Sequence, residues 1–139
     1  MPMILPDEVK DRVNGALDEG FPLVLMAVSA DAQPVVSFRG SAQTYGDDAL
    51  AVWVRGEPSS TLEAITQNPS VAMTYTNMPA RKFFIFRGQA AVTTDQQQRD
   101  AIWEGQHDLE KSRDMERQGT AVIIRLDSVQ GSGVNMTRD

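Results

Sequence analysis

Six short apolar or alternating runs, each closed off by turn-forming residues, limit what this chain can fold into more than any other feature. They cover residues 23–28, 35–44, 50–54, 71–77, 81–93 and 121–129. Gly, Pro, Asn, Asp and Ser punctuate them, which reads as strands rather than helices. Residues 23–28, LVLMAV, are apolar at every position and suit a strand buried on both faces. The first three runs read as a meander of neighbouring antiparallel strands. Gly88, inside the fifth run, marks a bulge or sharp bend. Three helices fit between or before the strands. The first covers residues 7–19, with Val9, Val13, Ala16 and Leu17 at helical spacing and Gly20 and Pro22 closing it. The second covers 60–67, where Ser60 and Glu63 match a capping box and Asn68-Pro69 ends the helix. The third and longest runs from 95 to about 118, capped by Thr94 or Asp95. It turns Ile102, Trp103 and Met115 inward and keeps 110–114 as a solvated face. Residues 131–139 read as a loose tail. The expectation is one domain, 1–139, mostly β: a small closed or nearly closed six-stranded antiparallel barrel, with an open α+β sheet as the alternative.

Composition narrows the chemistry. The chain has 139 residues, enough for one domain with its own core. It has no Cys, which excludes disulfides, thiol catalysis and Cys-ligated metals, and the single His, His107, excludes a multi-histidine metal site. Net charge is 13 − 19 = −6, which disfavours nucleic acid as a partner. No apolar run reaches the roughly 20 residues that span a bilayer, so no membrane partner is expected. The start MPMILPDEVK lacks a basic secretory leader, so the expected location is the cytoplasm.

Against an acidic background, clustered Arg residues stand out. Residues 52–61 place Arg55 after a strand and Ser59, Ser60 and Thr61 at a helix start. Free N–H groups, a positive dipole end, hydroxyls and a guanidinium suit an anion such as phosphate. The same residues also suit a plain helix cap beside a solvent-facing Arg. In residues 35–41, alternation puts Val36 and Phe38 on one face and Ser37 and Arg39 on the other. Arg39 meets Arg55 if these two strands pair as a hairpin; otherwise its charge is unconnected. In residues 81–88, Lys82, Phe84 and Phe86 share one face, and Arg81, Phe83, Ile85 and Arg87 the other. Trp53 and Trp103 read as core residues, Asp47-Asp48 as a turn, and no Ser-His-Asp arrangement is visible.

The segments LVLMAVS (23–29), VVSFRGS (35–41), LAVWVRGEPSSTLEAITQNPSVAMTY (50–75) and RKFFIFRGQAAV (81–92), in this order, resemble the pyridoxamine 5′-phosphate oxidase-like, FMN-binding split β-barrel family. The resemblance covers residues 21–129. It implies a homodimer with a flavin at each end of the subunit interface and an oxidoreductase acting on a small molecule. It also implies that the phosphate lies at Arg55, Ser59, Ser60 and Thr61, with Arg39 as the basic residue on the preceding strand. Ser37, Phe38 and Val54 would approach the ring, and Lys82 and Phe83 the flavin from the strand before Gly88. Three departures set the chain apart from the oxidases of vitamin B6 themselves. Ser59-Ser60-Thr61 lacks the family's positive charges, Phe83 replaces a polar amide, and no substrate segment rich in Trp, Arg and His follows Val129. Some relatives use a deazaflavin coenzyme, and others bind heme, against which the lack of a nearby His speaks. The readings are therefore an FMN-dependent oxidoreductase, a deazaflavin-dependent reductase, or a non-enzymatic flavin-binding or stress-response module.

Overall fold

The computed structural model describes residues 3–56 and 59–139; Glu57 and Pro58, within the expected break after the third strand, lie outside the described residues. The N-terminal helix is split into α1 (Asp7–Asn14) and α2 (Ala16–Glu19) at Gly15, and Gly20 in the left-handed region ends it. Its stripe of Val9, Val13 and Ala16 is buried, as the spacing predicts.

β1 (Leu23–Val28) pairs with β2 (Pro34–Arg39) on one side and β5 (Ser70–Asn77) on the other. The run expected as one strand over 35–44 is two. β2 stops at Arg39, and β3 (Gln43–Tyr45) starts after Gly40-Ser41-Ala42. β3 pairs with β4 (Ala49–Val54), and β4 with β7 (Thr120–Gly131). β6 (Lys82–Thr93) lies between β5 and β7, and β8 (Val134–Thr137) adds to β7. The sheet therefore has eight strands rather than six, all antiparallel, in the order β2-β1-β5-β6-β7-β4-β3 with β8 beside β7. It is not closed. The expected meander ends at β2, because the next strand joins the far side of the sheet. Across this seam the Ser41 hydroxyl takes the place of a strand pair: it donates to Trp53 O at 3.0 Å and accepts from Trp53 N at 2.9 Å.

β6 and β7 are long enough to bend around the core, and their register shifts between Arg87 and Gly88, the expected bulge. A side chain at Gly88 would collide with the Arg125 carbonyl, so this close approach requires glycine. The main core joins Leu25, Leu50, Met73, Tyr75, Phe84 and Phe86. A second cluster of Ala51, Trp53, Ile102, Trp103 and Ala121 lies on the other face of β4. β4 is thus the strand buried on both faces. β1 is not: Leu23, Leu25 and Ala27 are buried, Val24 and Met26 half-buried, and Val28 exposed.

The long helix expected over 95–118 is instead α4 (Gln96–Glu104), capped by Asp95, then α5 (Asp108–Lys111) and a loop. α4 stops at Gly105, where the Gln43 side chain donates to Ile102 O at 2.8 Å, the carbonyl that Gln106 N would take in a continued helix; Gln106 N bonds Trp103 O instead. Ile102 and Trp103 are buried, but Met115, beyond the helices, is exposed. The tail is also ordered. Beyond β8, Arg138 donates to Leu126 O at 2.7 Å and to Asp48 Oδ2 at 3.1 Å. No helix among the described residues is long and apolar enough to cross a membrane.

Candidate functional site

The seam that leaves the sheet open also creates a polar cavity. β2 ends there at Arg39, β4 hands over to Arg55 and Gly56, and α5 covers the far side. A cavity of about 260 Å³ lies between Phe38, Arg39, Ser41, Trp53, Arg55 and Glu110. Arg39 and Arg55 converge on it although β2 and β4 do not pair, so the expected meeting occurs by a different route from the expected hairpin. Alternation along β2 holds: Val36 and Phe38 are 61% and 76% exposed, while Ser37 and Arg39 turn inward.

Arg39 is firmly positioned. Its Nε donates to Ser37 Oγ at 3.1 Å and its Nη2 to the buried Thr61 Oγ1 at 2.9 Å. Burial, and then the neighbouring Arg55 charge, lower its pKa, while Glu110 opposes this. The guanidinium still remains cationic at neutral pH. Thr61 belongs to α3 (Ser60–Gln67), whose N-terminus is thereby tied to the cavity wall. Ser59, not Ser60, caps this helix: its hydroxyl accepts from Leu62 N at 3.2 Å. The expected Ser60–Glu63 capping box is displaced because Ser59 is the last extended residue and the helix begins at Ser60, one residue earlier than a Ser60 cap would set it. Ser60 is exposed at the helix start, and the first N–H groups of a helix have no intrahelical acceptor.

The other expected site residues lie apart. Val54 turns its side chain into the core. Lys82 pairs with Glu8 on α1 at 2.8 Å, and Phe83 is exposed on the outer sheet face. β2 and β6 are separated by β1 and β5, three strand spacings, and Phe83 lies two residues off the Phe38 row, so Phe38 and Phe83 are roughly 16 Å apart along the sheet. Two residues that line the cavity escape the sequence reading. Ser41 sits in a run that looks like plain strand. Glu110 sits in a charge-rich stretch read as solvated, yet it is only 6% exposed and its Oε2 lies 3.4 Å from Arg55 Nη2. No local pattern marks either one, since what buries them comes from distant strands.

The stretch after α5 is anchored by Asp114, also expected to be solvated. Its Oδ2 accepts from Trp53 Nε1 at 2.8 Å and Gly119 N at 2.7 Å, and its Oδ1 from Gln118 N at 3.0 Å. Arg99 lies over the Trp53 ring at 4.8 Å, and Arg117 over Trp103 at 4.0 Å. Burial pushes the Asp114 carboxyl up, but the Trp53 indole and the two backbone donors outweigh it and hold the pKa below the usual range. A depressed carboxyl stabilises the fold above its unfolded pKa, about 3.9, and loses that contribution as pH falls through the lower folded value. Asp114→Asn is therefore expected to cost about 1–2 kcal/mol at neutral pH, after a discount for partial exposure. In urea unfolding, its deficit against the unaltered protein shrinks below about pH 4.

No family model and no curated protein matches this chain. Solved structures do match over nearly its whole length. HupZ of Group A Streptococcus superposes with a TM-score of 0.74 at 16% identity, covering 98% of this chain and 100% of that one. A protein related to general stress protein 26, of the pyridoxinephosphate oxidase family, from Clostridium acetobutylicum gives 0.68 at 10% identity, covering 97% and 96%. An FMN-binding protein from Syntrophomonas wolfei gives 0.66 at 10%, covering 94% and 89%. An F420 reductase gives 0.65 at 14%, covering 91% and 98%. The chain has the pyridoxamine 5′-phosphate oxidase-like split-barrel fold.

Proposed function

We propose that the chain binds a flavin-type cofactor at the β2–β4 seam and uses it to pass a hydride or electrons to a small molecule. The observation that carries this reading is the convergence of Arg39 and Arg55 on a 260 Å³ cavity beside the N-terminus of α3. The donor set fits a flavin's phosphate: two guanidiniums, the Thr61 and Ser59 hydroxyls, and backbone N–H groups at a helix start. Ser37 and Phe38 would flank the ring. A bound flavin supplies the redox chemistry, so the chain itself needs only to bind, orient and exclude water. FMN is the first reading, supported by the FMN-binding protein of the same fold; a deazaflavin is the second, supported by the F420 reductase. Fluorescence titration with FMN and with a deazaflavin coenzyme decides between them. Saturable binding of one, followed by its reduction with a nicotinamide nucleotide, is expected; binding of neither overturns the reading.

The same proposal calls for a homodimer. The outer face of the sheet is apolar but uncovered. Phe38, Val24, Thr74 and Ile85 form one cross-strand row, and Val36, Met26 and Ala72 the next. Phe84 and Phe86 face the core, each 1% exposed, while their alternating neighbours Phe83 and Ile85 face outward. A second copy packed on this face would cover the row and bring its own Lys82 and Phe83 towards a cofactor held at Arg39, which a single chain does not do. Light scattering at micromolar concentration is expected to give twice the chain mass. A monomeric mass with cofactor bound would sink the interface.

A further inference from the structure

Glu110 is out of place in a site built for anions. Its side chain is 8% exposed and faces the same cavity as Arg39 and Arg55. Gly40 makes room for it, since any side chain there would collide with its Oε1. Its contacts with cations are loose: 3.4 Å to Arg55 Nη2 and 3.9 Å to Arg113 Nη1, longer than a well-made charged hydrogen bond. The carboxylate therefore lines the cavity without being consumed in a tight pair. The remaining volume is large enough for a phosphate group beside it. Arg39, Arg55 and Glu110 sum to one positive charge, and the neighbouring Arg113 and Asp114 offset one another.

We propose that Glu110 sets the charge this cradle accepts, favouring a phosphate group with one negative charge, as in a phosphodiester, over a terminal phosphate with two. The inference rests on the cofactor reading of the seam and narrows its ligand class. A single charge neutralises the cradle. A second meets the buried Glu110 carboxylate, 8% exposed, across a cavity that is open on one side, and beside a buried charge like charges repel more than in bulk solvent. The competing role for Glu110, a clamp that merely holds α5 to Arg55, predicts the opposite response to its neutralisation.

The test compares three ligands with the same ring at about pH 8, where a phosphate monoester carries close to two charges. These are FMN, riboflavin 4′,5′-cyclic phosphate with one charge, and riboflavin with none. The unaltered protein binds the cyclic ester more tightly than FMN, a ranking that needs no variant. In Glu110→Gln, FMN gains about tenfold, the cyclic ester about threefold and riboflavin stays within twofold. Equal gains for the two phosphates, or weaker FMN binding together with a lower melting temperature, overturn the proposal. A second arm needs no flavin: methyl phosphate and dimethyl phosphate are titrated against the side-chain N–H signals of Arg39 and Arg55. If no flavin binds but methyl phosphate gains over dimethyl phosphate in Glu110→Gln, the flavin reading fails and the charge selection stands. If neither phosphate moves those signals in either protein, the charge selection fails.

Discussion

Under the proposed cofactor site, Arg39→Ala is expected to lower FMN affinity about a hundredfold and to leave riboflavin within about threefold, because the side chain would act on the phosphate and not on the ring. A hydrogen bond to a charged group contributes roughly 1.5–3 kcal/mol, and a guanidinium offers two such bonds to one phosphate. The dipole of α3 alone supplies only about 0.3–1 kcal/mol, too little to hold a desolvated phosphate. Arg39 is the better-prepared of the two cations. Ser37 and Thr61 already fix its guanidinium, so little conformational freedom remains to be lost on binding. Arg55 is 42% exposed along its side chain and shares its charge with Glu110, so Arg55→Ala is expected to cost FMN only about tenfold. The measurement is a fluorescence titration of FMN and riboflavin against the unaltered protein and both variants. Equal losses for the two ligands would remove both arginines from the phosphate site.

Ser41→Ala is expected to destabilise the fold by about 2–4 kcal/mol. The residue is 4% exposed, and its hydroxyl satisfies both the N–H and the C=O of Trp53. Removing it strands two buried backbone groups at the one place where β4 has no strand partner on that side, and each unsatisfied group costs about 1–3 kcal/mol. The same change slackens the cavity wall between Arg39 and Arg55, so under the proposed site FMN affinity is expected to fall along with stability. Thermal unfolding of Ser41→Ala against Ser41→Thr separates the two effects, since threonine keeps the hydroxyl. An unchanged melting temperature in Ser41→Ala would show that the seam is held by something else.

Strand existence was legible from residue pattern because alternation and turn chemistry act locally. The runs at β1, β4, β5, β6 and β7, the α3 helix and the Gly88 bulge all follow from neighbours a few residues apart. The two-sided burial read for residues 23–28 is where that logic stops. An all-apolar strand signals that both faces avoid water, but not whether this chain or a second copy covers the outer one. The same limit applies to the long helix. Its charges and occasional apolar residues fit helical spacing, yet the Gln43 side chain, 59 positions before Ile102, takes the Ile102 carbonyl, and the helix stops at Gly105.

By itself, the order of residues determined that β1, β4, β5, β6 and β7 are strands, that Arg39 turns away from Phe38, and that hydroxyl residues open a helix after Arg55. These are properties of backbone period and capping, settled within one or two turns of chain. Only the tertiary structure decided that β2 and β3 part company, and that Arg39 and Arg55 meet across an open seam rather than along a hairpin. It alone buried Glu110 between them. The physical reason is that burial and electrostatic environment depend on which distant elements pack together. Ser41 meets Trp53 across 12 positions and Arg55 meets Glu110 across 55, distances at which local pattern carries no information.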